Sequence, residues 1–596
     1  MKPTNITDPD YFHKVVDCQW ACPAHTPVPE YIRLIAEKRY TDAYMINWQS
    51  NVFPGILGRT CDRPCEPACR RGRIEQGEQP VAICRLKRVA ADYKSDIRDR
   101  IPQVPKKKNG RHIALVGAGP ASLTVARDLL PLGYEITLFE RDKLSGGAMR
   151  TQIPRFRLPG EVLEEELHYI LDMGVNCRFG EEITSMKDLL AEDYDAIFVG
   201  TGAPLGKHLD LPGYQEAKEN IHTGIEWLAS VAFEHIDSIG KKVIVLGGGN
   251  TAMDCCRTSK RLGGDEVTVV VRSGFDEMKA SPWEIEDAMN EDIPIINFHV
   301  PKEYIIENGK LVAMAFEKVK KEYDENGRRL LTPTGEDPVI IPCDDVLCAI
   351  GQDNSFPWIE RDLGIEFDKW ELPVLDKTTF QSTHERVFFG GDAALGPDNI
   401  ITAVAHGHDA ALSIHLLCNK EDINVRPNPL TSLDSQKMGI HQWSYDNDIS
   451  NDVRYIVPHA AKEQTLNDIN MEVELGFDEA LAFGETMRCL NCDVQTVFTD
   501  QLCIECDACV DICPTDCITF TANAEESELR ENLLAPATNL AQDIYVSDLL
   551  TTGRIMAKNE DLCLHCGLCA ERCPTSAWDM RKYLFNTAKA ENACQS

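Results

Sequence analysis

The pattern of apolar and polar positions predicts two strand–turn–helix units in the middle of the chain. Residues 113–116 form a short apolar run, typical of a buried parallel strand, that leads into the glycine-rich segment 117–122. Residues 243–246 form a second such run, and it leads into the glycine-rich segment 247–252. Each pattern predicts a strand that ends in a tight turn and continues as a helix.

Later apolar segments extend this α/β pattern. Residues 194–203 predict a buried parallel strand that ends in small residues, and residues 344–353 and 387–392 predict segments that return to the first unit. Residues 400–417 predict a helix. We therefore expect an α/β fold with two interleaved Rossmann-like domains.

The ends of the chain have other patterns. Residues 1–105 show little strand pattern and a helical stretch at 28–48, which predicts a helical N-terminal domain. Residues 420–486 are polar and weakly periodic, so we expect a long connection that forms only short helices.

Length and charge limit the function classes. A chain of 596 residues allows about four domains. Its formal net charge is −34, and residues after about 420 carry more than half of that charge. Nucleic acid is therefore not an expected partner. The acidity serves either solubility or the steering of a basic docking partner. No apolar run of about 18 residues and no signal-peptide core are found, so we expect a cytoplasmic protein without a membrane span.

The cysteine content changes the picture most. Twenty-four cysteines in a reducing compartment indicate metal ligation or redox chemistry and not a disulfide framework. Gaps of three residues near the N-terminus favour an iron–sulfur cluster, although zinc is a rival. The candidate ligands there are Cys18, Cys22, Cys61, Cys65, Cys69 and Cys84.

The C-terminal region carries the same cysteine run twice. Each run has the spacing Cys–x2–Cys–x2–Cys–x3–Cys-Pro, and in such a pair the fourth cysteine completes the cluster of the other run. One 4Fe–4S cluster is expected on Cys503, Cys506, Cys509 and Cys573. The other is expected on Cys563, Cys566, Cys569 and Cys513, in a bacterial ferredoxin-like α+β domain.

The first glycine turn is a candidate FAD site. Gly119 lets a pyrophosphate approach the helix N-terminus, Glu140 follows the next strand and suits a ribose hydroxyl, and Asp392 suits a ribityl hydroxyl. A glycine turn can also close an ordinary strand–helix unit. The candidate FAD residues are Gly117, Gly119, Pro120, Ala121, Glu140, Arg141, Gly147, Gly202, Gly391, Asp392, Ile400 and Ala403.

The second glycine turn is a candidate NADP site. Arg272 ends the following strand at a position where an NAD-selective unit often has an acid, so it suits a 2′-phosphate. Arg272 could instead be an exposed charge at a strand end, and Lys279 is a second candidate. The remaining candidate NADP (or NAD) residues are Gly247, Gly249, Asn250, Thr251 and Ala252.

Taken together, these motifs resemble the glutamate synthase small-subunit family of flavoproteins, which includes the N-terminal half of dihydropyrimidine dehydrogenase. The resemblance covers about residues 15–420, through the N-terminal cysteines, GAGPAS, IPRFRLP, GGGNTAMD and FFGGDAA. It implies an N-terminal domain with two clusters and an FAD domain interrupted by an NAD(P)H domain, to which the ferredoxin-like tail is an addition. The implied segments are 1–105 (helical, two clusters), 106–235 (FAD, first part), 236–335 (NAD(P)H), 336–425 (FAD, second part), 426–495 (connection returning to the N-terminal domain) and 496–596 (ferredoxin-like).

The chain departs from this family in two places. The family begins its cluster domain with Arg-Cys-x-x-Cys, which here occurs only far downstream, as Cys489 and Cys492 after an arginine. The family commonly places a Glu or Gln ligand where this chain has Lys87, and Cys84 is the natural substitute. The resemblance then implies one cluster on Cys489, Cys492, Cys18 and Cys69, and another on Cys22, Cys61, Cys65 and Cys84. The alternative is a separate site at Cys489 and Cys492, with Cys517 as a further ligand.

The adjacent Cys255 and Cys256 lie inside a predicted helix, where neighbouring side chains diverge and a disulfide would be strained. No Cys–x4–Cys follows the first turn, so a disulfide reductase is disfavoured. Hydride transfer between a nicotinamide and a flavin needs positioning more than an acid or base, and we name no catalytic residue.

The first functional hypothesis is an NAD(P)H-linked electron-transfer subunit with FAD and four 4Fe–4S clusters. Its expected partner is a catalytic subunit, such as a 2-oxoacid:ferredoxin-type oxidoreductase or a dissimilatory sulfite reductase. The alternatives are a freestanding NAD(P)H:ferredoxin oxidoreductase, a glutamate synthase small subunit and a non-enzymatic electron-wiring subunit.

Overall fold

The computed structural model describes residues 1–73, 79–325, 327–435, 450–537 and 539–593. The chain forms two compact units. The first unit contains Met1–Arg100, Val425–Val457 and Gly476–Ser596. The second unit contains Ile101–Asn424 and Pro458–Leu475.

The N-terminal part of the first unit is helical, as the pattern predicted. Pro29 lies in the first turn of the third helix, where its missing N–H costs no hydrogen bond. The fifth and sixth helices meet at Gly58, where a Cβ would lie 2.7 Å from the Cα of Arg88. The helices are α1 (Pro9–Val15), α2 (Asp17–Trp20), α3 (Val28–Ala36), α4 (Tyr40–Asn51), α5 (Pro54–Thr60) and α6 (Ile83–Asp92).

The second unit is α/β. Its first half contains β1 (His112–Val116), α7 (Pro120–Leu129), β2 (Glu135–Glu140), α8 (Ala148–Thr151), α9 (Gly160–Leu171), β3 (Asn176–Phe179), α10 (Met186–Ala191), β4 (Ala196–Val199), β5 (Leu205–Gly206), α11 (Tyr214–Ala217), β6 (Ile221–Thr223) and α12 (Gly224–Ala232).

The second half of this unit continues the alternation. It contains β7 (Lys242–Leu246), α13 (Asn250–Arg261), β8 (Glu266–Val270), α14 (Pro282–Asn290), β9 (Ile295–Ile296), β10 (His299–Glu307), β11 (Lys310–Tyr323), β12 (Arg329–Pro333), β13 (Val339–Pro342), β14 (Asp345–Cys348), β15 (Gln352–Asp353), β16 (Val387–Phe389), α15 (Asp392–Leu395) and α16 (Ile400–Cys418).

Two parallel sheets carry the two glycine turns. The first sheet has the order β16-β4-β1-β2-β3, and the second has the order β6-β14-β7-β8-β9. The strands β10, β11, β12 and β13 form an antiparallel sheet, in which β11 pairs with the other three. The helix α16 packs on α7 so closely that a Cβ at Gly407 would lie 2.6 Å from the carbonyl oxygen of Ala121.

Two predicted domain boundaries are wrong. The strand β6 lies in the segment 106–235, which was expected to belong to the FAD domain, but it pairs with β14 in the second sheet. Residues 344–353 were expected to return to the first sheet, within a segment that begins at 336. The strand β14 instead pairs in parallel with β7 and β6, so it belongs to the second sheet. The reason is that an apolar strand of this length suits the centre of either parallel sheet, and only the hydrogen-bond partners decide between them.

The part of the chain after residue 424 holds two three-stranded antiparallel sheets, β17-β22-β18 and β19-β21-β20. Its elements are β17 (Leu430–Ser435), α17 (Lys462–Thr465), α18 (Glu479–Thr486), β18 (Val494–Phe498), α19 (Ala508–Ile512), β19 (Ile518–Ala522), α20 (Glu526–Glu531), β20 (Ile544–Val546), β21 (Arg554–Asn559), α21 (Leu568–Arg572), β22 (Trp578–Asn586) and α22 (Ala590–Ala593).

The connection between the units contains more than short helices. Its strand β17 pairs with β22 in the C-terminal region, a partner that the polar sequence did not indicate. Within the first unit the connection also contacts the N-terminal helices. Arg488 is fully buried and forms an ion pair with Glu485 at 2.8 Å. Arg488 also donates to the backbone oxygens of Gln79 and Asp452, and Glu485 accepts from the N–H of Ala82 at 2.8 Å.

We predict that Arg488→Met destabilises the first unit by about 3–5 kcal/mol, because it leaves the buried carboxylate of Glu485 without its charge partner. Chemical denaturation followed by circular dichroism measures the change. Lys38→Met is the matched control, because it breaks the exposed pair with Glu479 and should change stability by less than about 1 kcal/mol. Equal effects of the two substitutions would contradict the prediction.

Candidate cofactor and iron–sulfur sites

The first glycine turn leaves an open surface at the carboxyl end of β1. Gly117 has a φ of +93°, and a Cβ there would lie 2.6 Å from the carbonyl oxygen of Gly200. At Gly119 the nearest atom to such a Cβ is the same oxygen at 3.7 Å, so the outward side is free. The helix α7 begins at Pro120, and its free N–H groups lie where a phosphate could approach.

Other predicted FAD residues lie at the same turn. The carboxylate of Glu140 accepts from the N–H of Ala118 at 2.8 Å, and burial raises the pKa of Glu140. Arg141 follows it and is exposed. Gly147 has a φ of +50°, and a Cβ there would lie 3.0 Å from the Cα of Gly119.

The segment after β16 approaches this turn from the other side. Gly391 has a φ of +60°, and a Cβ there would lie 3.3 Å from the Cβ of Ala403 and 3.4 Å from that of Ala121. Asp392 follows it, and burial raises the pKa of this carboxyl to about 6. Ile400 is the first residue of α16.

The residue set fits a flavin dinucleotide. Gly202, with a φ of +69°, and Gly119 both have open space where a side chain would otherwise project, so a flat cofactor can lie against the backbone. The buried carboxylate of Glu140 and the half-buried carboxylate of Asp392 flank that space and can accept hydrogen bonds from hydroxyl groups.

The second glycine turn has the same design. Gly247 has a φ of +134°, and a Cβ there would lie 2.1 Å from the carbonyl oxygen of Ala349. Gly249 has open space. The N–H of Ala280 donates to the oxygen of Gly248 at 2.9 Å, so the neighbouring Lys279 lies beside this turn.

Arg272 lies on the other side of the same turn. A Cβ at Gly248 would lie 3.0 Å from the Cγ1 of Val271, the residue before Arg272. Both Arg272 and Lys279 are exposed, and neither forms an ion pair within the described residues. Two unpaired cations beside an open glycine turn fit the phosphates of a nicotinamide dinucleotide. Asn250, Thr251 and Ala252 begin α13, where Asn250 accepts from the N–H of Ser281 at 2.8 Å.

The IPRFRLP motif has a structural role that the sequence did not reveal. Arg157 donates to both carboxylate oxygens of Asp254 at 2.7 Å and forms an ion pair with Glu284 at 2.6 Å. The guanidinium of Arg261 lies 3.9 Å from the ring centre of Phe156. These contacts tie the motif to α13 and α14. The spacing of the motif contained no signal for these partners.

The sixteen candidate cysteine ligands all lie in the first unit, and we name them below as the four sets of four that the sequence predicts. We call Cys18, Cys69, Cys489 and Cys492 the first N-terminal set. We call Cys22, Cys61, Cys65 and Cys84 the second N-terminal set. The inner ferredoxin set is Cys513, Cys563, Cys566 and Cys569, and the outer ferredoxin set is Cys503, Cys506, Cys509 and Cys573.

The first N-terminal set lines one cavity, together with apolar residues of α3. Burial and then the neighbouring sulfurs of Cys69, Cys492 and Cys489 raise the pKa of Cys18. Four buried or half-buried thiolates would repel one another, and an iron–sulfur core would supply the compensating positive charge. This donor set therefore fits a cluster, although its members lie more than 400 positions apart in sequence.

The second N-terminal set surrounds a buried lysine. The thiol of Cys84 is hydrogen-bonded to those of Cys61 and Cys65. Burial alone lowers the pKa of Lys87, but the sulfurs of this set, Cys84 foremost, outweigh it and raise the pKa. The Nζ atom donates to Asn51 at 2.7 Å. Lys87 is thus a charged neighbour of the thiols, and Cys84 is the residue that fits as the fourth sulfur donor of this set.

In both ferredoxin sets, a cysteine of one run lies near cysteines of the other run. The outer set lines one cavity, to which Cys573 of the second run contributes. In the inner set, burial raises the pKa of Cys566, and the sulfurs of Cys563 and Cys513 add to this effect.

Cys517 lies beside the inner ferredoxin set. Its sulfur is 3.4 Å from that of Cys513, and it is also hydrogen-bonded to Cys563. The structure therefore places Cys517 with the inner ferredoxin set, and not with Cys489 and Cys492 as the alternative expected. Its N–H also donates to the sulfur of Cys513.

A buried chain of polar groups joins the first N-terminal set to the inner ferredoxin set. Arg70 follows Cys69, and its Nη1 donates to the carbonyl oxygen of Cys563 at 3.0 Å and to Nε2 of His565 at 3.1 Å. The other ring nitrogen of His565 lies 2.8 Å from the oxygen of Val494, two residues after Cys492. Since Nε2 accepts from Arg70, Nδ1 is the nitrogen that carries the proton.

The remaining described cysteines are packing residues without disulfides among them. Cys255 and Cys256 are fully buried in α13, and their sulfurs contact the separate oxygens of Gly224 and Met253. Cys594 lies outside the described residues. Among the helices of the described part, none has both the length and the apolarity that crossing a membrane requires.

Three family models match the chain. Residues 111–407 match the pyridine nucleotide-disulphide oxidoreductase family. Residues 13–98 match the 4Fe-4S cluster domain II of dihydropyrimidine dehydrogenase. Residues 502–577 match a 4Fe-4S dicluster domain.

Curated relatives span most of the chain. The beta subunit of the NADP(+)-dependent formate dehydrogenase of Moorella thermoacetica is 33% identical, over 80% of this chain and 70% of the relative. The beta subunit of the NADPH-Fe(3+) oxidoreductase of Geobacter sulfurreducens is 30% identical, over 82% of this chain and 77% of the relative. The glutamate synthase [NADPH] small chain of Halomonas elongata is 31% identical, over 67% of this chain and 87% of the relative. The chain belongs to the glutamate synthase small-subunit family of FAD-dependent NAD(P)H oxidoreductases.

We predict that Lys87→Gln lowers the midpoint potential of a cluster bound by the second N-terminal set. A positive charge stabilises the reduced cluster by on the order of 2 kcal/mol, or roughly 100 mV, at a separation of about 7 Å and an effective dielectric of about 20. Redox titration monitored by electron paramagnetic resonance measures this shift. Lys38→Gln is the control, because the Lys38 side chain is 64% exposed. An unchanged potential in Lys87→Gln would refute the role of this charge.

Proposed function

We propose that this member of the glutamate synthase small-subunit family exchanges electrons between NADP(H) and a catalytic partner subunit through FAD and four 4Fe–4S clusters. The observation that supports the proposal is the grouping of sixteen cysteines in the first unit, of which only Cys506 is exposed. Bound FAD would accept a hydride and release single electrons, which is the chemistry that links a nicotinamide to iron–sulfur clusters.

The residues around the first glycine turn support FAD as the flavin. Glu140 and Asp392 can accept hydrogen bonds from ribose and ribityl hydroxyls, and Gly119 lets the pyrophosphate reach the start of α7. Gly391 allows α16 to approach the same space. These groups would bind and orient FAD, and none of them is required to act as an acid or base.

Arg272 and Lys279 support NADP over NAD. Both flank the open turn at Gly249, and both lack an ion-pair partner among the described residues. A 2′-phosphate would supply the missing negative charge. The same two cations argue against a vestigial nicotinamide site and so against a purely electron-wiring subunit.

The buried hydrogen-bonded link between Arg70 and His565 supports an order for the clusters. It joins the first N-terminal set to the inner ferredoxin set, and the outer set shares the crossed cysteine pattern with the inner one. We infer that electrons pass between the N-terminal clusters and the outer ferredoxin cluster by way of the inner one.

The partner is proposed by analogy. Two relatives are named as beta subunits, one of a formate dehydrogenase and one of an Fe(3+) oxidoreductase. A 2-oxoacid:ferredoxin-type oxidoreductase or a dissimilatory sulfite reductase also suits a module that carries a ferredoxin-like tail. A freestanding NAD(P)H:ferredoxin oxidoreductase is the second candidate, and a glutamate synthase small subunit is a third.

We predict that Arg272→Ala combined with Lys279→Ala raises the KM for NADPH by roughly 100-fold, with little change for NADH. Each charged hydrogen bond to the phosphate contributes about 1.5–3 kcal/mol. Anaerobic steady-state reduction of an artificial acceptor measures both constants. Lys310→Ala, at the exposed first residue of β11, is the control. Faster turnover with NADH than with NADPH in the parent protein would overturn the NADP assignment.

We predict that anaerobically purified protein carries about sixteen irons per chain, four for each cysteine set. Cys489→Ser combined with Cys492→Ser should remove about four of them, because it removes half of the ligands of one set. Cys255→Ser is the control and should leave the iron content unchanged. About eight irons per chain in the parent protein would refute the four-cluster relay.

Co-purification from the native source tests the partner. A stable complex with a second subunit supports the subunit hypothesis, and its identity names the substrate. A protein that purifies alone and rapidly reduces soluble ferredoxin would instead support the freestanding enzyme.

A further inference from the structure

The two halves of the ferredoxin-like region differ in exposure although their cysteine runs are the same. Cys563 and Cys569 of the inner set are buried, whereas Cys506 of the outer set is exposed. Ile504 lies between two outer ligands and is 62% exposed. Leu564, its counterpart in the second run, is partly covered.

The cover over the inner set comes from the N-terminal segment. Arg70 donates to the backbone oxygens of Glu560 and Cys563, and the hydroxyl of Tyr11 donates to the carboxylate of Glu560 at 3.1 Å. All of these groups are buried. Protein therefore covers the inner set more than the outer set, because each inner cysteine is buried or half-buried whereas Cys506 of the outer set is exposed.

Exposed apolar side chains surround the outer set. Leu502 is 47% exposed, Ile504 62% and Leu549 65%. The N–H of Thr552 donates to the carboxylate of Glu505 at 2.9 Å, which places the turn that carries Leu549 beside the loop of the outer set. Clustered exposed apolar side chains with a polar rim are typical of protein interaction sites.

The rim of this surface is acidic. Residues 500–516 contain no lysine or arginine. Asp511, Asp516 and Asp548 are exposed, and none of them forms an ion pair within the described residues. Unbalanced negative charge around an apolar centre steers and orients a partner of opposite charge.

We propose that the outer docking surface, formed by Leu502, Ile504, Asp511, Asp548 and Leu549, binds a redox protein whose own electron carrier lies at an apolar spot ringed by lysine and arginine. This inference rests on the proposed function for the source of its electrons. The surface covers the exposed end of the relay, so docking there brings the two carriers close without a conformational change in this chain.

Cytochrome c, a basic haem protein, is the probe for this surface. Each electron that leaves the reduced protein converts one ferric haem to a ferrous haem, which absorbance reports directly. Stopped-flow mixing uses full-length holoprotein reduced either by NADPH or by dithionite that is then removed. The parent protein should react fastest at low ionic strength, and its rate should fall at least tenfold as the salt rises.

The charge-reversal variant is Asp511→Lys with Asp548→Lys. It should lower the second-order rate constant at low salt by at least tenfold and flatten the salt dependence. The matched control is Asp362→Lys with Glu421→Lys, which makes the same charge change at exposed positions of the second unit and should keep the rate within twofold. Equal losses in the two variants would refute the docking surface, because net charge alone would then explain the effect.

The apolar centre is tested separately by Leu549→Gln. It should lower the rate severalfold at all salt concentrations while the iron content and visible spectrum stay unchanged. Carbodiimide cross-linking to cytochrome c should join its lysines to Asp511 or Asp548, and cross-links mapped only to the second unit would overturn the proposal. If NADPH fails to reduce the protein, the proposed function fails, but the dithionite-reduced protein still tests the docking surface.

Discussion

Thiolate repulsion is the constraint on which the first unit depends. Fifteen of its sixteen candidate ligand cysteines are buried or half-buried, so a set of neighbouring thiols would need a multivalent cation before it could ionise together. The first N-terminal set draws two members from the helical domain and two from beyond residue 488. Metal binding at this set would therefore contribute folding free energy, because it would join segments that are far apart in the sequence. Arg488 and Glu485 prepare the same junction with a buried ion pair.

In the second unit, the constraint is the close contact between two backbone segments at each glycine turn. A Cβ at Gly117 or Gly247 would lie 2.6 Å or less from a carbonyl oxygen, so no larger residue fits there. Both turns leave a neighbouring glycine open for a cofactor. The Arg157 contacts with Asp254 and Glu284 then fix the IPRFRLP segment to the helix behind the second turn. Two dinucleotide sites are thus linked by buried charge as well as by chain connectivity.

Packing against the N-terminal segment gives the two halves of the duplicated ferredoxin motif different solvent exposure. Arg70 and Tyr11 of the N-terminal segment contact residues around the inner ferredoxin set. The inner set lies beside the first N-terminal set, whereas Cys506 of the outer set is exposed among acidic residues. A repeated sequence therefore acquires an inner and an outer end, which an electron relay to a separate partner requires.

The sequence alone determined the local features, because strand, glycine turn, helix and cysteine spacing are encoded by neighbouring residues. The two glycine turns, the repeated cysteine spacing of the ferredoxin-like region and the helical N-terminal domain all belong to this class. The tertiary structure decided which distant segments meet. It placed β14 in the second sheet, paired β17 with β22, put Cys517 beside the inner ferredoxin set, and brought Arg70 to His565. Those contacts join residues tens to hundreds of positions apart. Their partners are selected by packing and charge in three dimensions and leave no periodic signal along the chain.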